Sequence, residues 1–320
     1  MTPVFLAADI GGTHARLALA RKRSDGGVDI LDQERYLCAE HPSLAAIVAC
    51  FLSDRGPVED AAIAVAGVVH GDSVISRNLP WPTALAELRA LGIPRVAAVN
   101  DFVAVAHAKQ CMNDIDTTLL TPRRHYSETP GPLLVVGPGT GLGAALRVEV
   151  GERILVLPSE PQQLSLAPGN ARELALLGHW MRNGVKHVGV GHALSGPGLL
   201  NLYRALCELD GVVPHLQSAA EVATLAIQAC ETHAIEAVAR FCSLLGSVVG
   251  DLVMITGATR VFLVGGILSA LEQPLRESDF AARMVNKDVM RPLLERVPVR
   301  LIKDPDLGMI GAASWYQQRR

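Results

Sequence analysis

An apolar strand that ends in a glycine turn and runs straight into a second strand occurs twice in this chain. That repeat limits the fold more than any other feature. Val4–Ala8 is a short apolar run ending at Asp9, Gly11-Gly12-Thr13 supplies the turn, and Ala15–Ala20 is the second run. Further on, Leu133–Val136 leads into Gly137-Pro138-Gly139-Thr140-Gly141-Leu142-Gly143. There Leu146, Val148 and Val150 alternate with Arg147 and Glu149, which is the period of a strand. Glycines let a backbone approach a polyphosphate closely, and turn N–H groups can point at its oxygens. The pair predicts a duplicated α/β lobe with a cleft between two phosphate-facing turns.

The chemistry of each motif narrows this further. Gly139-x-Gly141-x-x-Ala144 formally fits a dinucleotide fingerprint, but that fingerprint needs a helix after the turn. The alternating segment after Gly143 is a strand, so a dinucleotide fold is rejected, and no Walker lysine motif occurs. Asp9, at a strand end, is placed to hold Mg²⁺ through water, and the Thr13 hydroxyl can donate to phosphate. Asn100-Asp101-Phe102 joins the apolar run Val96–Val99 to a segment of helical spacing. An Asp there has two roles open: a helix N-cap, or a base at the carboxyl end of a strand, where ligand crevices open. With two phosphate turns present, the second role is the sharper: accepting the proton of an attacking hydroxyl in phosphoryl transfer. Gly265-Gly266 follows another buried strand and permits close approach of a flat ring or ribose. Ser195-Gly196-Pro197-Gly198 reads as helix-start chemistry.

The remaining chain bounds the class. Apolar residues make up 49% and charged residues 19% of 320, with a net charge of −3. That composition builds a large core and offers no electrostatic footprint for nucleic acid or an anionic membrane. Neither nucleic acid nor membrane is therefore an expected partner. The six cysteines lie at 38, 50, 111, 207, 230 and 242 without metal or redox spacing, and most are expected to be buried thiols. The first nine residues lack a basic leader, and Asp9 interrupts the apolar run, so a cytoplasmic protein is expected. No DNA-binding segment precedes Val4, which argues against a repressor. Ser43 is a helix N-cap candidate, and helices are expected over 171–183, 198–208, about 218–232 and 233–256. The polar stretch 111–130 reads as a lobe boundary.

In this order and spacing, Ala8–Leu19, Val99–Phe102, Gly137–Gly143, Leu157–Glu160, Leu194–Arg204, Val264–Ile267, Pro298–Ile302 and Asp304–Ala312 resemble the bacterial glucokinase family, within the hexokinase/actin-like superfamily. The zinc-binding cysteine motif of the related ROK kinases is absent. The resemblance implies a two-lobed actin-like ATPase (RNase H-like) α/β fold with a cleft between lobes. The small lobe would span 1–110, completed by 301–320, and the large lobe 111–300. It implies ATP and Mg²⁺ as cofactors, a small-molecule sugar as substrate and a homodimer. Asp101 becomes the base. Asn100, Asp101, Glu160, Gln163 and Asn78 form the candidate sugar-binding set. Asp9, Gly11, Gly12, Thr13, Gly137, Gly139, Thr140, Gly141, Gly265 and Gly266 form the nucleotide-binding set, with Asp9 on the metal.

Departures from the family pattern cluster at the sugar. The family reads L-P-G-E-G-G-H where this chain has Leu157-Pro158-Ser159-Glu160-Pro161-Gln162-Gln163. Gln163 replaces a sugar-binding His, and Pro161 and Gln162 replace glycines. Gly191 replaces a sugar-binding Glu, with His192 next to it as a potential substitute, and His14 replaces an Asn. Losing two charged hydrogen bonds costs roughly 3–6 kcal/mol, about 10²–10⁴ in transition-state binding. Three readings stay open: a glucose kinase, a kinase for another hexose or amino sugar, and a non-catalytic glucokinase-like regulator.

Overall fold

The computed structural model describes residues 3–24, 27–76, 79–108, 117–122, 131–151 and 153–318. The chain forms two compact units, Met1–Ile115 with Asp304–Arg320, and Asp116–Lys303. The sequence reading divides it at 110/111 and 300/301 instead. Residues 301–303 stay with the second unit because the strand Val299–Ile302 pairs there, and Lys303 Nζ lies 2.8 Å from Glu272 Oε2.

The strands of the first unit are β1 (Val4–Ile10), β2 (His14–Lys22), β3 (Val28–Leu37), β4 (Asp60–Val65), β5 (Val68–His70), β6 (Ser73–Ile75), β7 (Thr83–Ala84) and β8 (Arg95–Asn100). The main sheet runs β3-β2-β1-β4-β8, and β5-β6-β7 form a small separate sheet. β1, β2 and β3 are antiparallel neighbours, whereas β1, β4 and β8 are parallel. One face carries Leu6, Ala8, Ile10, Ile63 and Val65, packed with α1 (Leu44–Leu52) and α2 (Leu85–Ala90) through Ile47, Phe51 and Leu88. Ser43 caps α1, its hydroxyl accepting from Ala46 N at 3.1 Å, a device worth about 1 kcal/mol.

The other face is built from small residues. Ala7, Ala62 and Ala64 are fully buried, which lets the C-terminal helix Leu307–Gln318 lie close on β1 and β4. Tyr316 Oη anchors that helix by donating to the buried Asp60 Oδ1 at 2.5 Å. α3 (Asp101–His107) packs beside it. A Cβ on Gly311 would overlap the carbonyl of Ala104, so glycine sets how near the two helices come.

The second unit repeats the strand order. Its strands are β9 (Thr117–Leu119), β10 (Leu133–Pro138), β11 (Leu142–Val150), β12 (Arg153–Ser159), β13 (Arg260–Leu263) and β14 (Val299–Ile302), arranged β12-β11-β10-β13-β14-β9. β10, β11 and β12 are antiparallel, and β10, β13 and β14 parallel. Apart from the added edge strand β9, this is the first unit's order. Its helices include α4 (Ala171–Arg182), α5 (Gly196–Leu209), α6 (Ala219–Ile227), α7 (Thr232–Thr256) and α8 (Gly266–Ala270). α7 is long and apolar enough to cross a bilayer by length and composition. Here its Phe241, Leu245, Val249 and Val253 are buried in the unit's core. Cys38, Cys207 and Cys242 are buried, whereas Cys50 and Cys230 are exposed and Cys111 lies outside the described residues.

Candidate active site

In the first unit the candidate residues gather at the carboxyl ends of parallel strands. Ile10, Val65 and Asn100 lie in register across β1, β4 and β8. Two strand spacings of ~4.8 Å place the Asp9 and Asn100 ends about 10 Å apart. The turn after β1 is closed by Gly11 N donating to His14 O at 2.9 Å, and Thr13 O accepts from Cys38 N at 3.0 Å. Gly11 and Gly12 are half-buried, and Thr13 is exposed.

The Asp9 carboxylate is only 19% exposed and faces Arg16 Nη1 at 3.5 Å. Burial pushes its pKa up to about 6, Arg16 opposes that rise, and nearby Asp306 adds to it. The space it fills is kept by the C-terminal helix. A Cβ on Gly308 would sit 2.7 Å from both Cγ and Oδ2 of Asp9. Gly308→Ala is therefore expected to destabilise the protein by about 1–3 kcal/mol, read by denaturant unfolding. An unchanged midpoint would mean that the carboxylate simply swings away. His14, next to the turn, accepts from Arg35 Nη2 at 2.8 Å. Burial, Arg35 and Arg16 all lower its pKa, so the ring stays neutral.

Of the two roles open to this junction, the helix cap is taken by Asn100. Asn100 is the N-cap of α3: its Oδ1 accepts from Phe102 N at 3.0 Å and Val103 N at 3.2 Å. Its Nδ2 donates to Gly67 O at 3.2 Å. Asp101 is the first helical residue, half-buried, with Oδ1 accepting from Phe102 N at 2.9 Å. The capping function thus falls to the asparagine rather than the aspartate. Asn78 lies outside the described residues.

In the second unit three motifs that are distant in sequence meet at one turn. Gly137 and Pro138 end β10, Gly139–Gly141 form the turn, and β11 returns with Gly137 opposite Gly143. Gly139 and Thr140 are exposed. Gly139 N donates to Gly141 O at 2.7 Å, and Gly139 O accepts from Gly196 N at 2.8 Å. The start of α5, capped by Ser195 Oγ on Gly198 N at 2.9 Å, is thereby tied to the glycine turn. Gly265 approaches from the other strand: its φ is +121°, and a Cβ there would meet Pro138 O at 2.7 Å. Both facts require glycine. Gly266, exposed, opens α8.

The candidate sugar residues of this unit lie on the turn after β12. Glu160 is exposed, and its Oε2 accepts from Gln162 Nε2 at 3.0 Å. The Gln163 side chain is exposed, and its carbonyl is 2.9 Å from His187 Nε2. His192, the potential substitute for the missing carboxylate, is half-buried. Its ring packs edge-on against Trp180 with centroids 4.8 Å apart, and burial lowers its pKa.

Several residues around these turns escape motif reading. Arg16, Gly308 and Gln162 reveal their roles only by contact. Their sole sequence signal is membership of the quoted matching stretches or, for Gln162, departure from them. Among the described residues no group of three or more His, Cys, Asp or Glu side chains could hold a metal ion. Asp9 is a strand-end carboxylate with Asp306 as its acidic neighbour. Such a donor set suits an ion that arrives on substrate phosphates and is held through water.

Two units of one strand order, each with a glycine turn between its first two antiparallel strands, define an α/β protein of the sugar-kinase class. Comparison with known proteins reaches the same class. The Glucokinase family model matches residues 6–319, and the chain belongs to that family. It is 43% identical to the glucokinase-like protein of Xylella fastidiosa (strain Temecula1), covering 99% of this chain and 96% of that one. It is 35% identical to the glucokinase of Nitrobacter hamburgensis, covering 98% and 97%. A crystal structure of glucokinase from an Antarctic psychrotroph superimposes with a TM-score of 0.84 at 30% identity, covering 99% of this chain and all of that one.

Proposed function

We propose that this chain transfers the γ-phosphoryl group of ATP to the 6-hydroxyl of a hexose, glucose being the first candidate, with Asp101 as the base. The observation that carries the assignment is that Asn100, not Asp101, caps α3. The aspartate at the carboxyl end of a strand accepts from Phe102 N but is not the N-cap, and a carboxylate there can take a proton.

In this mechanism Asp101 accepts the 6-hydroxyl proton as the oxygen attacks the γ-phosphorus, and ADP leaves carrying the charge of the broken bond. Asn100 orients the sugar: an amide has two N–H donors, and Gly67 takes one. Asn78, Glu160 and Gln163 read further hydroxyls. Gly11, Gly12 and Thr13 in the first unit bind phosphate, as do Gly137, Gly139, Thr140 and Gly141 in the second. Backbone N–H groups of such turns stabilise charge that develops on phosphoryl oxygens. Gly265 and Gly266 let the nucleoside approach the backbone. When bound, Mg²⁺ neutralises phosphate charge, and Asp9 is the residue that would hold its waters. The cytoplasm, where ATP and hexose meet, is the proposed setting, and a homodimer the proposed assembly.

A coupled assay of ADP release with glucose tests the reading, followed by a panel of hexoses and amino sugars. Turnover with glucose is the expected result. A second reading, another hexose or amino sugar, is favoured by Gln163 and Gly191 at sugar-reading positions and takes over if a different sugar is preferred. Nucleotide binding without transfer to any sugar would overturn both in favour of a regulator.

A further inference from the structure

Two of the positions at which this chain departs from the family pattern touch each other. A Cβ built on Gly191 would lie 2.9 Å from Gln162 Cβ, nearer than real Cβ atoms approach, but 3.4 and 3.5 Å from the Gln162 carbonyl oxygen and Cα, which is ordinary contact. The single clash is therefore with the side chain at 162, at its root and not at its flexible end. Nor can the turn easily retreat. Gln163 N donates to Glu160 O at 3.2 Å, Leu164 N to Pro161 O at 3.1 Å, and Val190 N to Leu164 O at 2.7 Å. Pro161 is buried. On the far side, a Cβ on Gly189 would meet Gln162 O at 2.7 Å. Side chains at 162 and 191 exclude one another, and this chain keeps the one at 162.

That side chain links two parts of the candidate site. Its Nε2 donates to Glu160 Oε2 at 3.0 Å. Its Oε1 occupies the space that a Cβ on Gly141 would take, directly on the glycine turn. Resting on the reading of Glu160 as a sugar-facing carboxylate, we propose that Gln162 is a positioning residue that sets sugar specificity. It holds Glu160 from the side of the phosphate turn, and the bare backbone at 191 is the condition for its presence. A carboxylate has about four acceptor sites, and the amide takes one on Oε2. The rest suit the hydroxyls of a neutral hexose. An amide N–H already on the carboxylate makes it a weaker partner for an ammonium, so glucose is favoured over glucosamine.

The test combines kinetics with a melting cycle. Gln162→Ala should raise the sugar KM by about 3–10-fold, with kcat and the ATP KM little changed, and should narrow the preference for glucose over glucosamine. Gly191→Ala should lower Tm by about 3–6 °C, and the same change in a Gln162→Gly background should lower it far less. Additive shifts in the cycle would overturn the exclusion, and an unchanged sugar KM in Gln162→Ala would overturn the positioning role. If the unmodified protein phosphorylates no sugar, the proposed function fails. Calorimetric titration with glucose and glucosamine then reads the positioning role, Gln162→Ala binding no more weakly than its parent being the overturning result, while the melting cycle decides the exclusion.

Discussion

Asp101→Ala is expected to lower kcat by about 10²–10⁴, the usual contribution of a positioned general base, while nucleotide binding stays close to that of the parent. The structure makes this a clean experiment. The cap of α3 belongs to Asn100, whose Oδ1 takes two backbone N–H groups, so the alanine leaves the helix start in place. Asp101 contributes to stability through, among other interactions, its favourable charge in the first turn, about 0.3–1 kcal/mol, and its bond to Phe102 N. Asn100→Ala is the contrasting control, because losing a cap costs about 0.5–2 kcal/mol. Activity lost at 101 with a nearly unchanged melting point identifies a chemical role. Unchanged turnover would remove Asp101 from the mechanism.

Asp9→Asn should do the opposite to stability and still harm the reaction. The Asp9 carboxyl titrates at about 6 instead of its ordinary 3.8, chiefly because burial disfavours the charge. The folded chain therefore holds this proton more tightly than the unfolded chain does. Its contribution favours the folded state below the unfolded pKa and is lost as pH rises through the folded one. By pH 8 the loss reaches about 3 kcal/mol. Asparagine abolishes it. In chelator, Asp9→Asn should be more stable than its parent at pH 8 by up to about 3 kcal/mol and equal near pH 4, by denaturant unfolding at both pH values. Arg16 is left partly exposed, at 29%, and can be solvated. Turnover should fall because the carboxylate that would hold the Mg²⁺ waters is gone. A variant less stable than its parent at pH 8 would refute the account of a carboxylate kept charged against its own burial.

Both results depend on features of unequal visibility. The strand–turn–strand device was legible twice because short apolar runs and glycines are local signals. The caps at Ser43 and Ser195 follow from side-chain oxygens beside helical spacing, whereas those at Asn170 and Ser218 came only with the structure. β3 was not legible. Of its ten residues only Val28 and Tyr36 are buried, so no hydrophobic pattern marks it, and it exists because β2 offers an edge to pair with. β12 also went unread, although Ile154–Leu157 is an apolar run, and it is largely exposed along its length. At the Asn100-Asp101 junction both residues are plausible caps on paper, and only the direction of each side chain separates them.

The two strand–glycine turn–strand units and the helix starts at Ser43 and Ser195 are determined by the sequence alone, because each depends on residues within a few positions of one another. Tertiary structure alone decided the close contacts between distant segments: Gly308 against the Asp9 carboxylate, Gly196 on Gly139, Gly265 against Pro138, and Gln162 between Glu160, Gly141 and Gly191. Each is a matter of one or two ångströms between backbones that the chain brings together only after it folds. A glycine looks the same in a sequence whether it turns the chain or makes room for someone else's side chain.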